Sequence, residues 1–498
     1  MVIFEATKAN MRKRFETQLC IGLTPISEIK LPTKSRDELA PTLAALQFIF
    51  INQELNERVF TIVEKKIKTG TQNFKGREGM NLWEILVLAV CRLTLDCNYD
   101  RIQDLANHHS LIRALMYVDN NPNGSDYKEY GLQTIKENLM LLDQETIMEI
   151  NELVVEQAHH LVLKKNEKLR MKSDTFVLET NVHFPTDYNL LWDATRKCLD
   201  IMDICSQVYG FEGWRKLNCW KSTLKNHCRT VGKACSGHSK NKDKQVKATV
   251  EKSVNMARNL AKKIEESIFS NIDIIEKTPD LQELIEAQLL YFLEMLNKHI
   301  DLLERRLIKE ETIPSSEKIY SIFEPHTEWI SKGKINKGVE LGHNILICSD
   351  QYGFIVSHKV VEKQHDSSLV IELADKLLAK YGNQIQSISF DKGFYSQENK
   401  ALLELEIPQV IMPKKGKLNA QEKEQETAKA YKKLRHKHSA VESNINELEH
   451  HGLNRCPDKG MKRFKTYVSL GVLSYNLLKL GKVLWEKQAS TSQQRQAA

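Results

Sequence analysis

The chain has 498 residues, 41% hydrophobic and 28% charged, with a formal net charge of +7. That length suggests roughly two to four domains, and the composition excludes an intrinsically disordered chain. Glycine (21) and proline (11) are scarce for the length, which favours helix, and ten scattered cysteines exclude a small disulfide scaffold and read as reduced thiols.

Met1 to Glu16 holds no apolar stretch of the kind a signal peptide needs. No run approaches the roughly 18 apolar residues of a membrane span; the best, 86–95, is broken by Arg92. A cytoplasmic protein without a membrane partner is expected. Residues 1–40 read as an irregular leader of mixed charge. From 41 to 168 apolar residues recur at three- and four-residue spacing, predicting an all-helical N-terminal domain with helices over 54–67, 82–95, 102–106, 111–118, 132–142 and 146–162. The turn at 119–126, with Asn121-Pro-Asn-Gly inside it, interrupts them. Short helices around turns suit a helix-turn-helix DNA reader, although helical packing alone explains them equally.

At Lys172 the texture changes. Residues 173–179 are β-branched and apolar and predict a strand. Pro185 follows, then Thr186 and Asp187 in position to cap a helix, capping being the ordinary role for Asp187. The pattern from 188 to 307 is helical, and 281–307 carries one continuous apolar stripe, the mark of packing in a helical hairpin. Between Arg215 and Lys263 cations face only Asp243 and Glu251. A block so one-sided repels itself unless it is solvated or meets phosphate. Lys216, Lys221, Lys225, Arg229 and Lys233 are the candidate DNA contacts in it.

Strands return over 339–348 and 354–361 around the turn 349–353, a hairpin. Asp366 opens a helix to 380; strand 385–390 ends directly at Asp391; helix 397–405 and strand 409–412 follow. The lysine- and glutamate-rich run 414–437 reads as exposed, helices resume over 437–450 and 464–485, and the polar tail 486–498 is expected to be disordered. This order predicts a helix-rich α+β chain with a mixed sheet. The domains expected are a leader (1–40), the helical domain (41–168), the first part of a catalytic domain (169–195), a basic helical insertion (196–316), and the rest of the catalytic domain (317–485).

Three carboxylates stand where such a sheet opens a crevice: Asp174 on the first strand, Asp391 at a strand end, Glu442 on a later helix. Carboxylates are the hard ligands Mg²⁺ requires, and two such ions suit phosphoryl transfer. Asp391 lies in Ser-Phe-Asp-Lys-Gly-Phe-Tyr-Ser, where an apolar strand delivers a carboxylate into a glycine turn. Cys219, Cys228, Cys235 and His238 lack the paired short loops of structural zinc sites, and Asp350 is better explained by turn chemistry. Trp214 and Trp329 are candidates to stack on a base, with core packing the commoner role.

Four blocks carry a family likeness. They are Asp174-Thr-Phe-Val-Leu-Glu-Thr-Asn-Val-His-Phe-Pro-Thr-Asp187; Glu340-Leu-Gly-His; Asp391-Lys-Gly-Phe-Tyr-Ser; and His438-Ser-Ala-Val-Glu-Ser-Asn-Ile-Asn with Glu449-His-His-Gly-Leu. With Gly76-Arg-Glu-Gly-Met-Asn-Leu-Trp83 and Leu132-Gln-Thr-Ile-Lys136 upstream, the sequence resembles bacterial insertion-sequence transposases of the DDE superfamily, of the ISNCY type. The resemblance implies an RNase H-like catalytic domain interrupted by the helical insertion. It implies that Asp174, Asp391 and Glu442 hold two Mg²⁺ or Mn²⁺ ions, with Glu340 and Lys392 in support. Double-stranded DNA, as terminal inverted repeats and target, is the implied partner, acted on by a homodimer or larger assembly. Where many relatives carry Tyr, Arg and Lys around the glutamate, this chain has Arg435, His438 and Glu449, so His438 becomes a candidate DNA contact. A metal-dependent nuclease that cuts without joining, and a domesticated DNA-binding protein without catalysis, are the alternative readings.

Overall fold

A computed structural model of the chain describes residues 12–16, 22–33, 35–69, 79–124, 126–238, 241–331 and 338–497. Expectations for 1–11, for Gly76 to Glu78 and for Lys240 lie outside those residues. Two compact units form, one of Met1–Asn181 with Ile330–Ala498 and one of Val182–Trp329.

The first unit carries a mixed sheet. Its strands are β1 (Leu169–Thr180), β2 (Glu328–Ser331), β3 (Val339–Ser349), β4 (Ile355–Val360), β5 (Ile385–Ser389), β6 (Gln409–Ile411) and β7 (Arg455–Cys456). β1 is the central strand. β3 runs antiparallel along one edge of it and β4 antiparallel to β3. On its other edge β5 pairs in parallel with residues 169–172 and β7 with residues 179–180; β6 continues in parallel beyond β5. Among the described residues 173–178 therefore have no strand partner on that edge. Glycine is required at 342, opposite Glu179, because a β-carbon there would lie 2.0 Å from the Leu178 carbonyl oxygen.

The Ser349–Phe354 hairpin forms as predicted, and Asp350 is consumed by it. Its Oδ1 accepts the Tyr352 and Phe354 N–H groups at 2.8 and 3.0 Å, and its Oδ2 meets His159 Nε2 at 2.7 Å. The outer edge of β4 is closed by the long helix Met461–Ala497. Asn476 accepts the Ile355 N–H at 2.9 Å and donates to the Ile355 carbonyl at 2.9 Å and to Asn151 at 2.7 Å. An otherwise open strand edge is thereby satisfied from within the fold.

The helices before the sheet do not make a core of their own. Leu43, Phe60, Trp83, Val90 and Val154 lie in one continuous core with Leu178, Ile347, Ile388 and Leu473. Helix Leu82–Thr94 is largely apolar and buried on every side, its two charges paired, Glu84 with Lys128 and Arg92 with Asp458, each at 2.7 Å. It begins at a capping box in which Asn81 accepts the Glu84 N–H at 2.8 Å. Part of the expected leader joins this core through Ile26 and Ile29.

The second unit is helical. Asp187–Tyr209, Leu217–Ser236 and Lys242–Ser270 pack with Leu290–Leu307 around a separate core. The predicted stripe supplies Leu281, Ile285, Leu289, Leu296 and Leu303 to it. Thr186, not Asp187, caps the first of these helices by accepting the Asn189 N–H, and Asp187 pairs with Arg306 at 2.5 Å. Because Asp187–Tyr209 is continuous, the unit boundary falls after 181 and not after 195.

One further expectation is corrected. The tail continues the helix to Ala497 because it contains no Gly or Pro and is rich in Gln and Ala. The run 414–437 is exposed, as expected, and holds two helices, Ala420–Thr427 and Lys429–His438, the first started by a capping box at Asn419. No helix of the described residues is long and apolar enough to cross a membrane.

Candidate active site

Strand register brings Asp174 and Asp391 together. In the parallel pairing of β1 with β5, Lys172 stands beside Ser389. Two residues further along each chain, on the same side of the pleat, come Asp174 and Asp391. β5 has ended by then, and Asp391 opens the single turn Lys392–Phe394, its Oδ1 accepting the Gly393 N–H at 2.6 Å.

A third acid joins them that the sequence reading took only for a helix start. Asp366 begins the turn Asp366–Leu369 before helix Val370–Tyr381. Thr175 ties it to the strand: its N–H donates to Asp174 Oδ1 at 2.7 Å and its hydroxyl to Asp366 Oδ1 at 3.3 Å. Gly393 allows the approach. A β-carbon there would stand 3.0 Å from Asp391 Oδ1 and 3.1 Å from Asp366 Oδ2, too close for any side chain without displacement. No spacing rule marks Asp366; its only signal was an acid in the polar link after a hairpin.

The electrostatics follow from this crowding. Burial pushes the Asp174 carboxyl up to about 7, and the negative charges of Asp391, Asp366 and Glu442 add to it, against the Thr175 hydrogen bond. Asp366 is raised by burial and by Asp391, against its own bond from Thr175. Glu442 lies on helix Ala440–Leu448, exposed, with Val441 and Leu448 turned into the core. That helix is offset from Lys429–His438 by a break at Ser439.

His438, at the end of the preceding helix, is positioned by Ser389: its Nδ1 lies 3.0 Å from the Ser389 hydroxyl. Its Nε2 is enclosed and has no hydrogen-bond partner among the described residues. Burial lowers its pKa, against the pull of Asp391 and Glu442, so the ring is neutral near pH 7.

Other predicted residues fall elsewhere. Glu340 sits on β3 seven residues from Ile347, the partner of Asp174, which is about 23 Å along a strand. The supporting role expected for Glu340 is therefore not met by its position. Lys392 is exposed directly after Asp391. Trp214 is buried, its Nε1–H donating to Ser267, and is core. Trp329 is 37% exposed and clusters with Phe184 and Tyr320, ring centres 5.7 and 5.4 Å away. Cys228 packs inside the helical core, where burial pushes its thiol up to about 12.

In the helical unit, Lys221, Lys225, Arg229 and Lys233 succeed one another at four-residue spacing on Leu217–Ser236, one side of that helix. Leu217, Leu224, Cys228 and Val231 take the other side. Lys221 is bound to Asp200 at 2.8 Å. Lys216, Lys225, Arg229 and Lys233 are exposed without an ion-pair partner among the described residues, and Ser222, Asn226 and Thr230 stand exposed beside the stripe.

The donor chemistry suits a hard divalent cation: carboxylates only, two of them converging at Gly393. Among the described residues no group of three or more His, Cys, Asp or Glu side chains is already drawn close enough to hold a metal ion. Comparison with protein-family models, curated proteins and solved structures finds no match to this chain.

Proposed function

We propose that the chain is a DDE transposase that cleaves DNA at insertion-sequence ends and joins the 3′-hydroxyl ends to target DNA. The observation that carries this reading is the meeting of Asp174 and Asp391 from adjacent parallel strands, with Glu442 on helix Ala440–Leu448 between β6 and β7. The sheet path β2-β3-β1-β5-β6, in which β1 runs antiparallel to β3 and parallel to β5, with β4 antiparallel on β3, supports an RNase H-like catalytic domain. The helical unit is then an insertion between β1 and β3.

Asp174, Asp391 and Glu442 would hold the Mg²⁺ or Mn²⁺ ions. Such ions, when bound, activate the attacking oxygen and stabilise the leaving one. The chain's own groups contribute the rest. Asp174, raised to about 7, shares a proton with solvent near neutrality until a cation displaces it. Neutral His438, oriented by Ser389, keeps an unpartnered Nε2 that would meet a phosphate oxygen or a water once the residues enclosing it give way. The stripe Lys225, Arg229 and Lys233 gives sequence-independent attraction to the DNA backbone. Action as a dimer or larger assembly on paired ends, in the cytoplasm and on DNA, belongs to the same reading.

The test is a strand-transfer assay with Mg²⁺ on DNA bearing the flanking terminal repeats, comparing the natural chain with Asp391→Ala. Joined product from the natural chain alone supports the reading. Product that survives the substitution overturns the site, and cleavage without joining makes the chain a nuclease.

A further inference from the structure

Lys172 is 8% exposed, yet its ammonium has no ion pair and no hydrogen bond among the described residues. Burying an ammonium without an anion is costly, so the fold keeps such a group where something else supplies the charge. The side chain lines a cleft of about 610 Å³ whose walls also include Arg170, Ser387, Ser389, His436 and Lys437. Ser387 and Ser389 are themselves 4% and 5% exposed.

The acids near this cleft are already engaged. Glu167 lines it but accepts from the Tyr352 hydroxyl at 2.6 Å and from Gln351 at 3.3 Å, and Arg170 lies 3.4 Å away. Asp350 is fully buried in its turn and against His159; its charge reaches Lys172 but makes no ion pair with it. What remains is a pocket with cations and hydroxyls and no free carboxylate to balance them. It adjoins the candidate active site through Ser389, which lines the cleft, bonds to the Met171 carbonyl and meets His438.

We infer that this cleft is a phosphate site, taking one backbone phosphate of the DNA strand bound at the carboxylates. Lys172 is its buried charge partner and Ser387 supplies a hydroxyl donor, Ser389 being held by the Met171 carbonyl and His438. A tetrahedral dianion or a phosphodiester presents the acceptor oxygens that these groups lack, and a neighbouring phosphate on the reacting strand has that chemistry. The assignment of the anion to DNA rests on the proposed function; the existence of an anion site does not.

The experiment is a thermal-stability titration of the full chain in phosphate-free buffer containing EDTA, which keeps metal-dependent chemistry silent. Inorganic phosphate, a short phosphodiester oligonucleotide and its uncharged methylphosphonate analogue are the probes, each against the natural chain, Lys172→Met and Lys172→Arg. Without phosphate, Lys172→Met is expected to melt a few degrees higher than the natural chain, because the unpaired charge is gone. Phosphate is expected to stabilise the natural chain and Lys172→Arg, and to bind Lys172→Met about tenfold more weakly or worse. The phosphodiester is expected to compete with phosphate and the methylphosphonate to fail.

Equal phosphate responses in the natural chain and Lys172→Met would overturn the site. So would a Lys172→Met chain that melts lower without phosphate, since the lysine would then be structural. Phosphate binding without competition from the oligonucleotide overturns the assignment to DNA. Failure of strand transfer with this binding intact overturns the transposase reading and leaves the anion site standing, so the two are separable.

Discussion

The sheet-bearing unit and the helical unit handle charge in opposite ways. In the first, Asp174 and Asp366 are drawn partly out of water, tied by one threonine and raised by burial and by each other's neighbours. In the second, Lys225, Arg229 and Lys233 stand in water at four-residue spacing, each acting alone. Buried like charges store repulsion that a specific partner relieves, whereas solvated ones give a graded, salt-screened attraction. Single substitutions in the first unit should therefore act steeply, and those in the second should act in small additive steps.

The steepest expected effect is that of Asp391→Ala, a loss of strand transfer of about a thousandfold or more in a gel assay, with folding unchanged by circular dichroism. Asp366→Asn comes next. If Asp366 belongs to the carboxylate group, transfer falls by roughly ten- to a hundredfold and the divalent-ion requirement rises with it. An unchanged rate would return Asp366 to the helix start the sequence suggested.

Replacing Lys225, Arg229 and Lys233 together by Gln tests the other side of the comparison. DNA affinity should fall about tenfold at moderate salt, and the slope of log affinity against log salt should flatten by nearly three. A change in affinity with no change in slope would deny the stripe a phosphate role.

The smallest effect expected concerns stability. Asp174 has a folded-state value of about 7 against an ordinary 3.8, so the folded state holds the proton more tightly. The penalty is absent below about pH 4, grows as pH rises to about 7, and is constant above it. Denaturant melts in EDTA should find Asp174→Asn more stable at pH 8 by on the order of 1–3 kcal/mol, after allowance for partial exposure. The gap should close near pH 4, and Mg²⁺ should narrow it from the other side.

The strand placements of Asp174 and Asp391 were legible because apolar, β-branched runs leave a local trace, one containing Asp174 and one leading to Asp391. Asp366 left none, since its place depends on Thr175 and on the bare Cα of Gly393, contacts between segments distant in sequence. Lys172 was opaque for a related reason: a lysine in a strand reads as a solvent position until its neighbours are known. The N-terminal helices read correctly as helices, but their shared core with the sheet did not, because periodicity shows that a face is buried and not against what. Glu340 misled in the opposite sense, standing in a characteristic block but far along β3.

The helix Met461–Ala497 has a consequence for the order in which the chain takes shape. Ser474 hydrogen-bonds to the Val90 carbonyl across 384 residues, and Asn476 closes onto Asn151 and β4. The sheet unit thus cannot complete its interior until Ser474 and Asn476 have been made. The helical unit draws its interior from 188–323 and can condense without that helix. The segment that interrupts the sheet therefore holds all that its own core needs, whereas the core beneath β1 is closed by a helix from the far side of that insertion.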